Sequence, residues 1–313
     1  MRRLSLFLIV ISGLLATVGC SEPQDVEPTR TLTPTPEPTP TPTPPPTPIS
    51  IDAAYHITSM TVATRKSDAV DIDGDGKPDY GLESALNETV HFMVGLIDAL
   101  LDELVDAGLV PPEASLAVKT AAQAALKSAL NVDTFNEGLA TMLQKEHWVQ
   151  VLASTGETEV ELTFFTSTPV GGGYSTLGPP LGDPFAGGYD QDTGEVDVSG
   201  GNVTLSIPLV SNGSQALTTD FKLMSCRDVQ SYQPDRGLND AILGGAIPVQ
   251  AIVDTVDKVM GMVGILGLMP DDMVEEMQHD VETFVNGLGD VTVDGKDAVS
   301  ISLVYTGDLT DVY

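Results

Sequence analysis

The stretch "HWVQVLASTGETEVELTFFTS", His147 to Ser167, decides the class of fold. Two runs rich in β-branched and aromatic residues flank Gly156-Glu157, and this reads as a β-hairpin. A second hairpin follows, with "NVTLSIPLV" and "LTTDFKLMS" joined across "SNGSQ". "DQDTGEVD", Asp190 to Asp197, reads as a plain hairpin turn. "YHITSMTVATR" opens the domain as a strand and "DAVSISLVYTG" closes it as one. Between the opening strand and the first hairpin lie helices. Leu82, Leu86, Val90, Met93, Ile97, Leu100, Leu101 and Leu104 recur at spacings of three and four, which stop near Gly108 with Pro111 and Pro112 beyond. "PEASLAVKTAAQAALKSAL" is a second helix, and Thr134 to Gln144 a short third. "AILGGAIPV" leads into an apolar helix from Val249 to Leu268, and "PDDMVEEMQHDVETFVNGL" is one more. "PVGGGYSTLGPPLGDPFAGGYD" (Pro169 to Asp190) reads as a long Gly/Pro-rich loop and the best candidate contact surface. The order strand, helices, strands, helices, strand predicts an α+β domain over residues 50–313, a largely antiparallel sheet with helices packed on one side.

The sharpest chemical signal is "VDIDGDGKPDYGLESAL", Val70 to Leu86. Asp71, Asp73, Asp75, Gly76 and Asp79 fall at positions 1, 3, 5, 6 and 9 of an EF-hand-type loop, in which position 7, Lys77, contributes a backbone carbonyl. Alternating carboxylates on a curled backbone converge on a calcium ion, which takes six to eight oxygens at about 2.3–2.6 Å. The bidentate glutamate of position 12 is replaced by Leu82, with Glu83 one place late. Pro78 lacks the N–H that paired EF-hands exchange. The loop therefore resembles the Asp-rich calcium loops of extracellular bacterial and thrombospondin-type repeats, which implies a structural ion bound at about 10⁻⁴–10⁻³ M. A fainter copy, "DVTVDGKDAVSISL", offers Asp290, Asp294 and Asp297 as a second site or as contributors to the first.

The N-terminus carries an address. Arg2 and Arg3 precede the apolar stretch Leu4 to Ala16, and Thr17-Val18-Gly19-Cys20 follows. Small residues before a cysteine resemble the lipobox of bacterial lipoproteins. The resemblance implies a signal peptide over residues 1–19, acylation of Cys20, and attachment to the membrane through that lipid. Ser21 after the cysteine implies retention in the outer membrane by resemblance to known sorting. Residues 20–49 form a Pro/Thr-rich linker holding eleven of the 22 prolines. Such a segment is disordered and extended, and thirty residues of polyproline II reach about 90 Å.

Composition excludes some functions. Acids outnumber Lys and Arg 45 to 14, for a net charge of −31. That surface repels phosphate backbones and excludes nucleic acid as a partner. With Cys20 lipidated, Cys226 has no partner and is expected to be a buried, inert thiol. His56, His91, His147 and His279 form no zinc pair, and no nucleophile elbow, P-loop or dinucleotide fingerprint is present. The stretch "VDKVMGMVGILGLMPDDMVEEM" is rich in Met and Gly, which suits a core helix or the lining of a hydrophobic pocket. The reading is a calcium-stabilised lipoprotein of the cell envelope with a non-catalytic binding, adhesion or structural role. The rivals are a carrier of a hydrophobic ligand and an extracytoplasmic hydrolase. A deep Met-lined cavity would favour the first rival, a His–acid–nucleophile cleft the second, and a filled core neither.

Overall fold

A computed structural model describes residues 50–313 except 107, 109, 110, 130, 177, 213, 214, 234 and 254–270. The signal peptide, Cys20 and the linker lie outside the described residues, as does most of the apolar helix expected from Val249 to Leu268. Strands β1 (Ser50–Val62), β2 (Trp148–Ser154), β3 (Glu159–Thr166), β6 (Phe185–Tyr189), β7 (Glu195–Asn212), β8 (Gln215–Ser231), β9 (Leu238–Pro248) and β11 (Lys296–Leu309) pair antiparallel with their neighbours in that order. β1 also pairs with β11, from Tyr55 opposite Leu309 to Val62 opposite Leu303. The antiparallel sheet expected from the hairpins is thus closed on itself as an eight-stranded barrel, which leaves no free edge along its circumference. β10 (Val291–Val293) adds to one end of β11, and β4 (Thr168–Val170) pairs with β5 (Gly173–Ser175) as a separate small hairpin.

Two segments differ from their sequence reading. The Gly/Pro-rich stretch is not one loop, because it contains β4, β5 and the barrel strand β6. Its aromatics are largely used inside the molecule. Phe185 is fully buried, and Tyr174 stacks on His56 with ring centroids 4.3 Å apart. "AILGGAIPV" is itself strand β9, with a helix beginning only at Val249.

Helices α1 (Leu82–Asp106), α2 (Pro112–Ala129) and α3 (Val132–Glu146) form the connection from β1 to β2, and α4 (Asp271–Asn286) belongs to that from β9 to β11. Asn131 caps α3 by accepting from the Thr134 amide at 2.8 Å, and His147 ends it in the left-handed region, φ 47°. Phe135, Leu139, Met142 and Leu143 all face one side of α3 and are buried in the same cluster as the barrel interior. α3 lies against both β1 and β7, which stand four places apart in the ring. It therefore crosses one mouth of the barrel, and the Val62 amide donates to Asn136 Oδ1 at 2.8 Å to fix it there. α1 and α4 meet on the outside, where Phe92 stacks on Phe284 at 4.1 Å.

The barrel interior is packed with side chains. Trp148, Phe164, Phe185 and Tyr305 are each at most 2 % exposed and make ring contacts of 5.8–6.1 Å across it. Below them Gln150 Nε2 of β2 donates to Gln230 Oε1 of β8 at 2.9 Å. These strands are also four places apart in the ring, so this bond spans the barrel from wall to wall. Small barrels of eight strands are just wide enough for side chains to fill.

Candidate metal centre

Residues 63–81 leave the end of β1 and lie down on the outer wall formed by β11, β9 and β8. Outward-facing serines of β11 fasten them. Ser302 Oγ donates to the Asp79 carbonyl at 2.8 Å and accepts from the Val70 amide at 3.4 Å. Ser300 Oγ accepts from the Gly81 amide at 2.7 Å. The Val70 side chain occupies the space beside Gly244 of β9, where an added Cβ would lie 2.2 Å from it. At the far side Arg227 of β8 donates to the Asp71 carbonyl at 3.4 Å while forking onto Asp197 of β7 at 2.6 and 2.9 Å.

Within this frame the aspartates turn the backbone back on itself. The Asp71 carboxylate accepts from the Gly74 amide at 2.7 Å and the Gly76 amide at 2.9 Å, and Asp79 accepts from the Ile72 amide at 2.7 Å. Gly74 and Gly76 have φ of 81° and 86°, a backbone region that favours glycine. One carboxylate oxygen from each of Asp71, Asp73 and Asp79 lies within 4.8 Å of the others. Oxygens ligating one calcium ion are at most about 5 Å apart across it, so the three fit a single hard cation. Burial raises the Asp79 carboxyl above its ordinary value, with the negative charges of Asp73 and Asp290 adding to the shift against the amide donors. A cation among these carboxylates would reverse that repulsion.

The other expected ligands divide. Asp75 is turned to Lys77, whose ammonium sits 2.5 Å from its Oδ2. That hydrogen bond holds the Asp75 carboxyl below its ordinary range. Glu83 is exposed in the first turn of α1 and stands outside the three-carboxylate group. Asp290 lies against the loop from the other side. It accepts from the Ser300 amide and hydroxyl at 2.7 and 2.5 Å, and an added Cβ at Gly81 would fall 2.0 Å from its Oδ2. Asp294 and Asp297 are exposed on the β10–β11 hairpin, whose two-residue turn, Asp294-Gly295, has positive φ at both positions. The four-residue group of the sequence becomes three converging carboxylates with Asp290 behind them.

Beside Asp71 the wall is indented by a shallow groove of about 490 Å³, lined by Asp71, Gly74, Asp197, Ser199 and Arg227 among others. It is polar and open, unlike a site that encloses an apolar molecule. Cys226 is fully buried beneath it, and burial pushes its thiol up to about 12, in keeping with the inert thiol expected. His56 and His147 have ring centroids 5.8 Å apart with Tyr174 over them, while His91 and His279 are exposed on helices. No described helix is long and apolar enough to cross a membrane. No protein-family model, curated protein or solved structure matches this chain.

Proposed function

We propose that this protein is a lipid-anchored protein of the bacterial cell envelope whose barrel is stabilised by calcium, and that its role is non-catalytic: binding, adhesion or envelope structure. The observation that carries the calcium reading is the convergence of Asp71, Asp73 and Asp79 within 4.8 Å on a loop pinned to the barrel wall. The ion would tie the exit of β1, the start of α1 and the outer face of β11 into one unit. Asp71, Asp73 and Asp79 supply carboxylates, and the spacing adds the Lys77 carbonyl, while Asp75, paired with Lys77, stands outside the set. The anchor reading rests on the residues around Cys20, and the Pro/Thr linker would then set the barrel off from the membrane.

The filled interior favours the binding module over a carrier. Among the described residues the barrel is spanned by the Gln150–Gln230 bond and by contacting aromatic rings, which leaves no lumen for a lipid at that level. The Met-rich stretch 254–270 lies outside the described residues, so the carrier remains the second reading. The discriminating experiment is thermal melting of the full-length chain in calcium and in EDTA, with Asp73→Ala as control. A calcium-dependent rise that the variant lacks supports the proposal. Equal melting temperatures in both conditions would remove calcium from it.

A further inference from the structure

The barrel interior contains a polar knot that packing alone does not require. Asp228 of β8 is fully buried, as are Tyr55 of β1, Gln150 of β2 and Tyr305 of β11, while Gln230 is 3 % exposed. The Tyr305 hydroxyl is 2.7 Å from Asp228 Oδ2, 3.3 Å from Gln230 Oε1 and 3.4 Å from Gln150 Oε1. A phenol has one hydrogen, and three acceptor oxygens surround it. Gln150 Nε2 serves Gln230 Oε1, but Asp228 Oδ1, Gln230 Nε2 and Tyr55 Oη have no partner among the described residues. The carboxylate is therefore short of donors: Gln230 Nε2 and the Tyr55 hydroxyl could each donate but neither reaches it, and buried polar atoms left unpaired are costly.

We propose that the barrel interior is a proton-binding site, in which Asp228 is a neutral carboxylic acid in the folded protein and loosens the barrel when it ionises. A proton on Asp228 lets the carboxyl donate to the Tyr305 oxygen. The phenol hydrogen is then free for a glutamine carbonyl, which relieves the shortage. Among the described residues no cation acts on Asp228. The titratable groups near Asp228 are Tyr305, with Tyr55 behind it, Cys226 on the same strand and Asp197 on β7. Val198 and Leu243 flank it in register on β7 and β9. Arg227, next in the chain, turns outward to Asp197. Burial, partly opposed by the Tyr305 hydrogen bond, lifts the Asp228 carboxyl from 3.8 to about 7, and the Tyr305 phenol is raised in turn by burial and by Asp228.

The direction of the pH effect follows. A carboxyl that holds its proton more tightly when folded stabilises the fold fully below its unfolded value, and that contribution is lost as pH rises through about 7. The device is independent of calcium, since Asp228 is not one of the three converging aspartates.

Urea unfolding of the full-length chain in EDTA, from about pH 5 to about pH 9, tests it against Asp228→Asn. The ratio of the two unfolding constants should change about tenfold per pH unit below pH 6.5, the signature of one proton, and become constant above about pH 8. Parallel curves over the whole range would overturn the proposal, as would stability at high pH that depends on sodium against a bulky cation. A readout that keeps Asp228 guards against a variant that does not fold. In Asp79→Asn, which removes the other carboxyl raised by burial, the infrared carbonyl stretch of a protonated carboxyl should persist at pH 6, where surface acids are ionised, and its absence there refutes the proposal. Tyr305→Phe removes the donor that favours the ionised form, so it should move the levelling-off to higher pH.

Discussion

Replacing Ser300 with Ala should detach the Asp loop from the barrel wall at a cost that can be worked out bond by bond. Ser300 is fully buried, and its hydroxyl does two things at once. It accepts from the Gly81 amide at 2.7 Å and donates to Asp290 Oδ2 at 2.5 Å. A hydrogen bond between neutral groups contributes about 1 kcal/mol net, and one to a charged group about 1.5–3 kcal/mol. Alanine keeps the backbone amide that serves Asp290 Oδ1, so only the hydroxyl's share is lost. The sum is about 3 kcal/mol, a large part of the stability of an ordinary domain. Urea unfolding can follow it through the fluorescence of Trp148, the chain's one tryptophan, which is fully buried beside Phe164. Calcium affinity should weaken in the same variant, because Gly81 closely follows Asp79 and its amide would no longer be held. A change below about 0.5 kcal/mol, the range of ordinary surface substitutions, would refute the claim that Ser300 fastens the loop.

Other consequences are open to test. Asp79→Asn should act with opposite signs in two conditions: it removes a carboxylate whose charge is opposed by burial and by Asp73 and Asp290, so melting temperature should rise or hold in EDTA and fall below wild type in calcium. In wild type, calcium affinity should weaken as pH falls toward the raised Asp79 value, because only the ionised carboxylate ligates, and calorimetry at two pH values checks it. Cys20→Ser should abolish the acyl mass and leave the chain out of the membrane fraction, read by mass spectrometry and fractionation. Cys226, buried with its thiol pushed up to about 12, should resist a thiol reagent at pH 8 until the protein is unfolded in urea.

The hairpins were legible because each is local. Trp148–Ser154 and Glu159–Thr166 pair across a four-residue turn, and their β-branched and aromatic content announces it. The closure of the barrel was not legible. It depends on β1 meeting β11, whose partners, such as Tyr55 and Leu309, are at opposite ends of the domain, and no local pattern encodes that distance. β6 and β9 were hidden by their glycines. Gly187 sits where an added Cβ would meet the Asp197 carbonyl of β7 at 2.1 Å, and Gly244 where Val70 presses on the wall. These strands gave up side chains so that neighbouring backbone, at Gly187, or the Val70 side chain, at Gly244, could approach, and that erases the strand signal.

At the site, spacing pointed to Asp71, Asp73 and Asp79, whose carboxylates the structure brings within 4.8 Å of one another, because a curled loop is a local object. It did not show that Lys77 holds Asp75 away from the three, since a side-chain pairing between neighbours leaves no mark on the motif. The nearness of Asp290 had a faint signal in the second Asp-Gly segment, and the two buried serines of "SIS" were its missing explanation. The polar knot of Gln150, Asp228, Gln230 and Tyr305 went unread because its members come from three distant strands. Its only trace is polar residues at inward positions of β2 and β8.

Whether the Asp loop holds an ion is decided by calorimetric titration of the full-length chain with calcium. One saturable event is expected near about 10⁻⁴–10⁻³ M, lost in Asp73→Ala and retained more strongly in Asp75→Ala. At ten times that dissociation constant it should stabilise the fold by about 1.4 kcal/mol. No heat of binding up to several times the upper limit of about 10⁻³ M, with all three proteins alike, would contradict the claim and reduce the loop to an acidic turn laid on a barrel.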